Sequence, residues 1–177
     1  MRSKSLNRRP LSTLLAITAL VGLFAASPVV AAGPNQNANA AAKIVKPLTL
    51  AWVQDLDLGT IVLGAGTWAT TTIGITSAGA FTCGNSNVTC SGATKQAEYK
   101  VTGTNNQRVF IIAPDVTLTN QNDNTKTLQL TVDNPGFVDL GNSGNAGLTF
   151  GLGGSIGVSS TTTDGTYTGQ FNVTVNY

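Results

Sequence analysis

The chain of 177 residues contains no histidine. That removes the commonest acid–base side chain near neutral pH and the commonest metal ligand. A serine–histidine or cysteine–histidine nucleophile cannot be built from it. Aromatic residues make up 6% of the chain, too few for the girdles of a lipid-facing barrel. Charged residues make up 10%, and no basic patch suggests nucleic acid as a partner. The two cysteines, Cys83 and Cys90, are not spaced as a Cys-x-x-Cys pair. With no second pair and no histidine beside them, they do not read as a zinc site.

The N-terminal part reads as an address label. Arg2, Lys4, Arg8 and Arg9 form a basic start, Leu11 to Ala26 is apolar, Pro28 breaks a helix, and Val30-Ala31-Ala32 offers small residues for cleavage. Residues 1–32 are expected to be a signal peptide, with Ala38-Asn39-Ala40 as a second, more distant cleavage candidate. The apolar run is about 16 residues and carries Ser12, Thr13 and Thr18, whereas a spanning helix wants roughly 20. Membrane contact is therefore expected only through this segment before cleavage. The flanks of Arg8-Arg9 fit ordinary secretion better than twin-arginine export, and no cysteine ends the apolar run to take a lipid. Removing four of the ten cations leaves six against eight acidic residues, so the net charge turns from +2 to −2.

Export into an oxidising compartment makes a Cys83–Cys90 disulfide the default expectation, with Phe81 to Cys90 a hairpin or excursion pinned at its base. Gly33 to Lys43 is small, polar and rich in Asn and Ala, and is expected to be a disordered lead-in. The domain proper is placed at residues 44–177.

No helical periodicity follows. Threonine, valine and isoleucine suit a pleated surface, and glycine and asparagine suit turns. The clearest strand is the last. Tyr167, Phe171, Val173, Val175 and Tyr177 alternate with Thr168, Gln170, Asn172, Thr174 and Asn176, after an Asp164-Gly165 turn signal. Ile44 to Val53 alternates through Leu48, Leu50 and Trp52, with Pro47 assigning it to an edge or bulge. Leu56, Leu58 and Ile61 follow. Then come Thr71, Ile73 and Ile75, next Ala97, Tyr99 and Val101, then Val116 and Leu118. Leu128, Leu130 and Val132 lead to Leu148, Phe150, Leu152, Ile156 and Val158. Arg108 to Ala113 is almost continuously apolar and is expected to be buried on both faces. About nine short strands separated by turns predict an all-β sandwich or barrel with antiparallel topology.

Four stretches carry a resemblance: Ile44-Val45-Lys46-Pro47-Leu48-Thr49-Leu50, Asp55-Leu56-Asp57-Leu58-Gly59-Thr60-Ile61, Tyr99-Lys100-Val101-Thr102-Gly103, and Gly165 through Tyr177. In this order they resemble the exported bacterial family called domain of unknown function 4402, which more often has Phe at the position of Leu58. The resemblance implies no activity and no functional residues. The closing strand is also similar to that of spore-coat-U-type pilus subunits, which implies an immunoglobulin-like antiparallel sandwich. In such fibres each subunit lends an N-terminal strand to its neighbour. Gly33 to Lys43 has no bulky alternating side chains for that role, and Ile44 to Trp52 is needed at home. The expectation is therefore a self-complete domain.

The remaining candidates for chemistry read as structure. Asp55 and Asp57 share one face of an extended chain and could form a glycosidase pair or calcium site, but they also simply alternate with buried leucines. Trp52 and Trp68 could form a sugar-stacking platform; edge or core packing is the plainer account. Thr70-Thr71-Thr72 is too short a run for a flat ice-binding array. Asn120 to Asn124 lacks the charge count and terminal glutamate of a calcium loop, and the Gly151-Leu152-Gly153-Gly154 run opens no helix that could cradle phosphate. No catalytic residue, metal or cofactor is expected. The function predicted is a structural or interaction domain of the bacterial envelope or surface, in the periplasm or outside. Its partner is unspecified and self-association is open; a carbohydrate-binding module and an eight-stranded outer-membrane barrel are the alternatives.

Overall fold

The structure is a computed structural model that describes Gly33 and residues 35–177. The expected signal peptide, residues 1–32, lies outside the described residues. Gly33 and residues 35–48 carry no helix or strand.

Thirteen strands occur among the described residues. They are β1 (Thr49–Gln54), β2 (Thr60–Leu63), β3 (Thr71–Ile75), β4 (Phe81–Cys83), β5 (Val88–Ser91), β6 (Ala97–Thr102) and β7 (Arg108–Ile112). After them come β8 (Val116–Asn120), β9 (Thr127–Asp133), β10 (Phe137–Asp139), β11 (Leu148–Val158), β12 (Tyr167–Thr168) and β13 (Thr174–Asn176). All pairings are antiparallel. The fold is thus the expected all-β sandwich, cut into more pieces than the sequence pattern suggests.

One layer is an eight-stranded sheet ordered β1-β6-β11-β9-β8-β12, with β3 and β4 joined to it through β11. Its path runs from β1 to β12 without closing, so the barrel alternative is not the architecture. The other layer is split into a β10-β7-β13 sheet and a β2-β5 ribbon. Each piece covers its own core. Beneath β2-β5 lie Ile73, Ile75, Val116, Leu130, Ile156 and Val158; beneath β10-β7-β13 lie Ala97, Val101, Phe150 and Leu152. Leu56 and Phe171 pack against both clusters.

β11 joins the halves. Residues 148–152 pair with β6, and residues 153–156 pair with β9 while 154–158 pair with β3. Its even positions point inward: Phe150 and Leu152 enter one cluster, Ile156 and Val158 the other. Gly154 falls between them, and Leu130 occupies the space its side chain would take. A Cβ on Gly153 would collide with the Ile75 carbonyl oxygen, and one on Gly151 with that of Ser77. The glycine run is therefore a close-packing device.

Two sequence expectations are corrected here. Arg108 to Ala113 is not buried on both faces: Val109 and Ile111 are, but Phe110 and Ile112 are 49% and 53% exposed. Among the described residues nothing covers the outer face of β7, so only alternate residues reach the core. The strand expected from Ile44 begins only at Thr49, leaving Ile44 91% exposed. Leu48 and Leu50 do pack on the second cluster, whereas Trp52 is 62% exposed.

The closing segment alternates as expected, its odd residues Tyr167, Phe171, Val173 and Val175 half-buried and its even residues exposed. It is nonetheless not one strand. Tyr167 and Thr168 pair with β8 in the large sheet, while Thr174 to Asn176 pair with β7 in the other layer. Residues 169–173 cross between layers with no strand partner among the described residues.

Candidate functional site

The split in the outer layer opens a groove of about 1050 Å³. One lip is residues 55–63, ending in β2; the other is residues 162–171, which lead into β12 and out of it. The floor is the inner face of the large sheet: Val116 and Leu118 of β8, Leu128 and Leu130 of β9, Ile156 and Val158 of β11. These side chains fall in rows, because Val116 is opposite Leu130, which is opposite Ile156, and Leu118 is opposite Leu128. β2 pairs with β5 on one side only. Its other edge and residues 169–173 both present backbone groups without ladder partners among the described residues.

Each lip is fixed by local chemistry. Asp57 exchanges two backbone hydrogen bonds of 2.8 Å with Lys95, and its carboxylate accepts the Gly59 N–H at 2.8 Å. Leu58 is thereby turned into the core. Gly59 has a φ of +72° and lies against the Ser91 carbonyl, where no other residue would fit. On the other lip, Asn120 is 1% exposed and its amide donates to the Asp164 carbonyl at 2.8 Å. Its Oδ1 accepts the N–H groups of Asn122 (2.8 Å) and Asp123 (3.3 Å). The Asn120 to Asn124 stretch is thus a turn that anchors the 164 loop. The side-chain and backbone donors of Thr125 hold the Asp123 carboxyl below its usual range. Tyr99 also lines the groove; burial raises its hydroxyl pKa, and the nearby Asp55 carboxylate adds to the effect.

A family model, Domain of unknown function (DUF4402), matches residues 48–177. The chain belongs to this family. No curated protein and no solved structure matches it. In this DUF4402 domain the Leu-Asp-Leu-Gly stretch and the closing run, its most recognisable parts, form the two lips of the groove.

The other sequence candidates separate. Cys83 and Cys90 form a disulfide with a Cα–Cα distance of 5.9 Å. They do not close a hairpin: Cys83 lies on β4, paired with β3, and Cys90 on β5, paired with β2. The bond therefore ties the large sheet to the β2-β5 ribbon. Asp55 accepts the Trp52 indole N–H at 3.0 Å, while Asp57 serves Gly59, so the two carboxylates have separate structural tasks. Trp68 packs on the first core and donates to the Gly64 carbonyl at 3.2 Å. Trp52 stands exposed on β1, and the two indoles do not form one platform. Arg108 and Asp139 form an exposed ion pair at 2.8 Å, with the guanidinium 3.8 Å above the Phe137 ring. Sequence reasoning missed the groove. Its parts read singly as ordinary half-buried strands, and only their arrangement leaves a gap.

Proposed function

We propose that this is an exported, non-enzymatic interaction domain of the bacterial envelope or cell surface that takes an extended strand of a partner into its groove. The carrying observation is the gap in the outer layer, with six aliphatic side chains beneath it and, among the described residues, no ladder partner for the second edge of β2 or for residues 169–173. A strand laid there would gain ladder hydrogen bonds at its edges and bury every second side chain on the floor. This is strand addition, in which backbone pairing supplies affinity and alternate pockets supply specificity. The basic and apolar N-terminus with its small-residue cleavage motif supports export, and the disulfide suits an oxidising compartment. The likeness of the closing segment to spore-coat-U-type pilus subunits supports a fibre-subunit role.

The test is hydrogen exchange on the purified protein with excess peptides of alternating apolar pattern. The amides of residues 60–63 and 169–173 are expected to gain protection. Unchanged exchange there, with every peptide tried, rejects the reading. Fractionation of cells carrying a tagged copy, with electron microscopy of the outer surface, tests the location.

A further inference from the structure

The floor of the groove sets what an occupant must carry. Val116, Leu130 and Ile156 form one row across it, and Leu118 and Leu128 form a second, two residues further along. Two alternate apolar side chains of an extended segment, about 7 Å apart, cover both rows. The lips add charge of one sign. Asp55, Asp57 and Asp164 line the groove, and no lysine or arginine among the described residues does.

These carboxylates are not equivalent. Asp57 stands opposite Lys95 in an isolated bridge, and its Oδ1 accepts the Gly59 N–H. Asp55 is set among aromatic rings instead. Its Oδ1 accepts the Trp52 indole N–H at 3.0 Å, and its charge acts on the Tyr99 hydroxyl. Among the described residues no lysine or arginine comes within ion-pair distance of it. Trp52 is directly opposite Tyr99 across β1 and β6, and Tyr99 is opposite Phe150 across β6 and β11. The Tyr99 and Phe150 rings stack with centroids 6.0 Å apart. All three rings therefore lie on one face of the sheet. They lead from a buried Phe150 through a half-buried Tyr99 to a Trp52 that is 62% exposed. Lys100 follows Tyr99 on β6 and so points to the opposite face.

An open indole beside a carboxylate without a cation has the chemistry to hold one. The ring face attracts it through its quadrupole, and the carboxylate accepts a charge-assisted hydrogen bond. Resting on the strand-accepting reading above, we infer that the partner is a strand of another protein bearing two alternate apolar side chains and, several residues away, one arginine or lysine that Trp52 and Asp55 hold at the end of the groove. The spacing follows from β11. Phe150, in the row of Tyr99, lies six residues before Ile156. That is roughly 20 Å of strand, part of which a long cationic side chain spans, so the cation belongs about four to six residues from the nearer apolar side chain.

The experiment adds end-capped ten-residue peptides to the purified full chain. Each alternates valine and threonine and ends in arginine or in its neutral analogue citrulline, in both chain directions. Hydrogen exchange reads the lips at 60–63 and 169–173. NMR reads the Trp52 indole N–H, assigned with Trp52→Phe. In its better direction the arginine peptide should protect the lips at about fivefold lower concentration than the citrulline peptide, and shift the Trp52 signal. The advantage should shrink as salt rises. Asp55→Asn and Trp52→Ala both alter exposed side chains, and each should reduce the advantage while leaving citrulline-peptide binding unchanged. Lips protected equally by both peptides, or an advantage that survives in Asp55→Asn, would overturn the cation while leaving the groove's role intact. A Trp52 shift without protection of the lips would show a cation held outside any strand and overturn the groove's role and this partner together. Lips that no peptide protects, with no Trp52 shift, would also overturn both.

Discussion

Reducing the Cys83–Cys90 bond should destabilise the domain and loosen one lip of the groove before the rest. The bond closes a segment with a sequence separation of 7. In the chain-entropy account, opening so short a loop costs about 2.5 kcal/mol of stability. For a domain of this size each kcal/mol moves the melting temperature by roughly 2–4 °C, so the expected fall is about 5–10 °C. The effect should also be local. Among the described residues β5 is paired only with β2, and the disulfide is a covalent tie between that ribbon and the large sheet. What remains is the packing of Leu58, Ile61, Leu63 and Val88 on the first core. The assay is thermal unfolding by circular dichroism with and without reductant, with thiols counted by alkylation and mass spectrometry, alongside hydrogen exchange. Residues 60–63 and 88–91 should exchange faster on reduction, by a larger factor than residues 97–102 of β6. Two free thiols with an unchanged melting temperature would refute the entropy argument. A uniform rise in exchange would refute the idea that the bond holds one lip.

Asn120→Ala removes three hydrogen bonds at a buried position and should cost about 2–4 kcal/mol in denaturant unfolding, with residues 163–168 becoming protease-sensitive. Gly153→Val should do worse and abolish soluble expression, because its side chain would meet the β3 backbone; normal folding of that variant would contradict the packing described for β11. Asp139 is held below the usual carboxylate range by its hydrogen bonds with Arg108. A lowered folded-state pKa stabilises above the unfolded value and is lost as pH falls through the folded one. Arg108→Ala should therefore raise the Asp139 titration midpoint, followed by NMR, while leaving stability near neutrality almost unaltered because the pair is exposed.

The all-β class, the disulfide and the faces of most strands could be read from the chain, because period-two alternation records which side is buried whatever the neighbours are. Ile73 and Ile75, Ala97 and Val101, and Phe150 and Leu152 all lie inward as expected. The misreadings share a cause. β7 looks like a fully buried strand because Phe110 and Ile112 are apolar, but sequence composition does not record whether a second layer exists above a strand. The closing run keeps its alternation at Tyr167, Phe171, Val173 and Val175 while changing sheets, since side-chain direction is insensitive to which backbone edge is paired. The groove was illegible for the same reason: a missing strand leaves no pattern of its own, and the leucines of its floor look like any other core.

The placement of β11 sets an order of events for the nascent chain. β3, β6 and β9 all dock on a strand made long after the first two of them, so early strands emerge without the neighbour that would complete them. Such distant pairings make collapse to the native topology slow. Until residue 158 is synthesised the sandwich lacks the strand that joins its halves, which fits the export proposed above, because a translocation channel passes an unfolded chain.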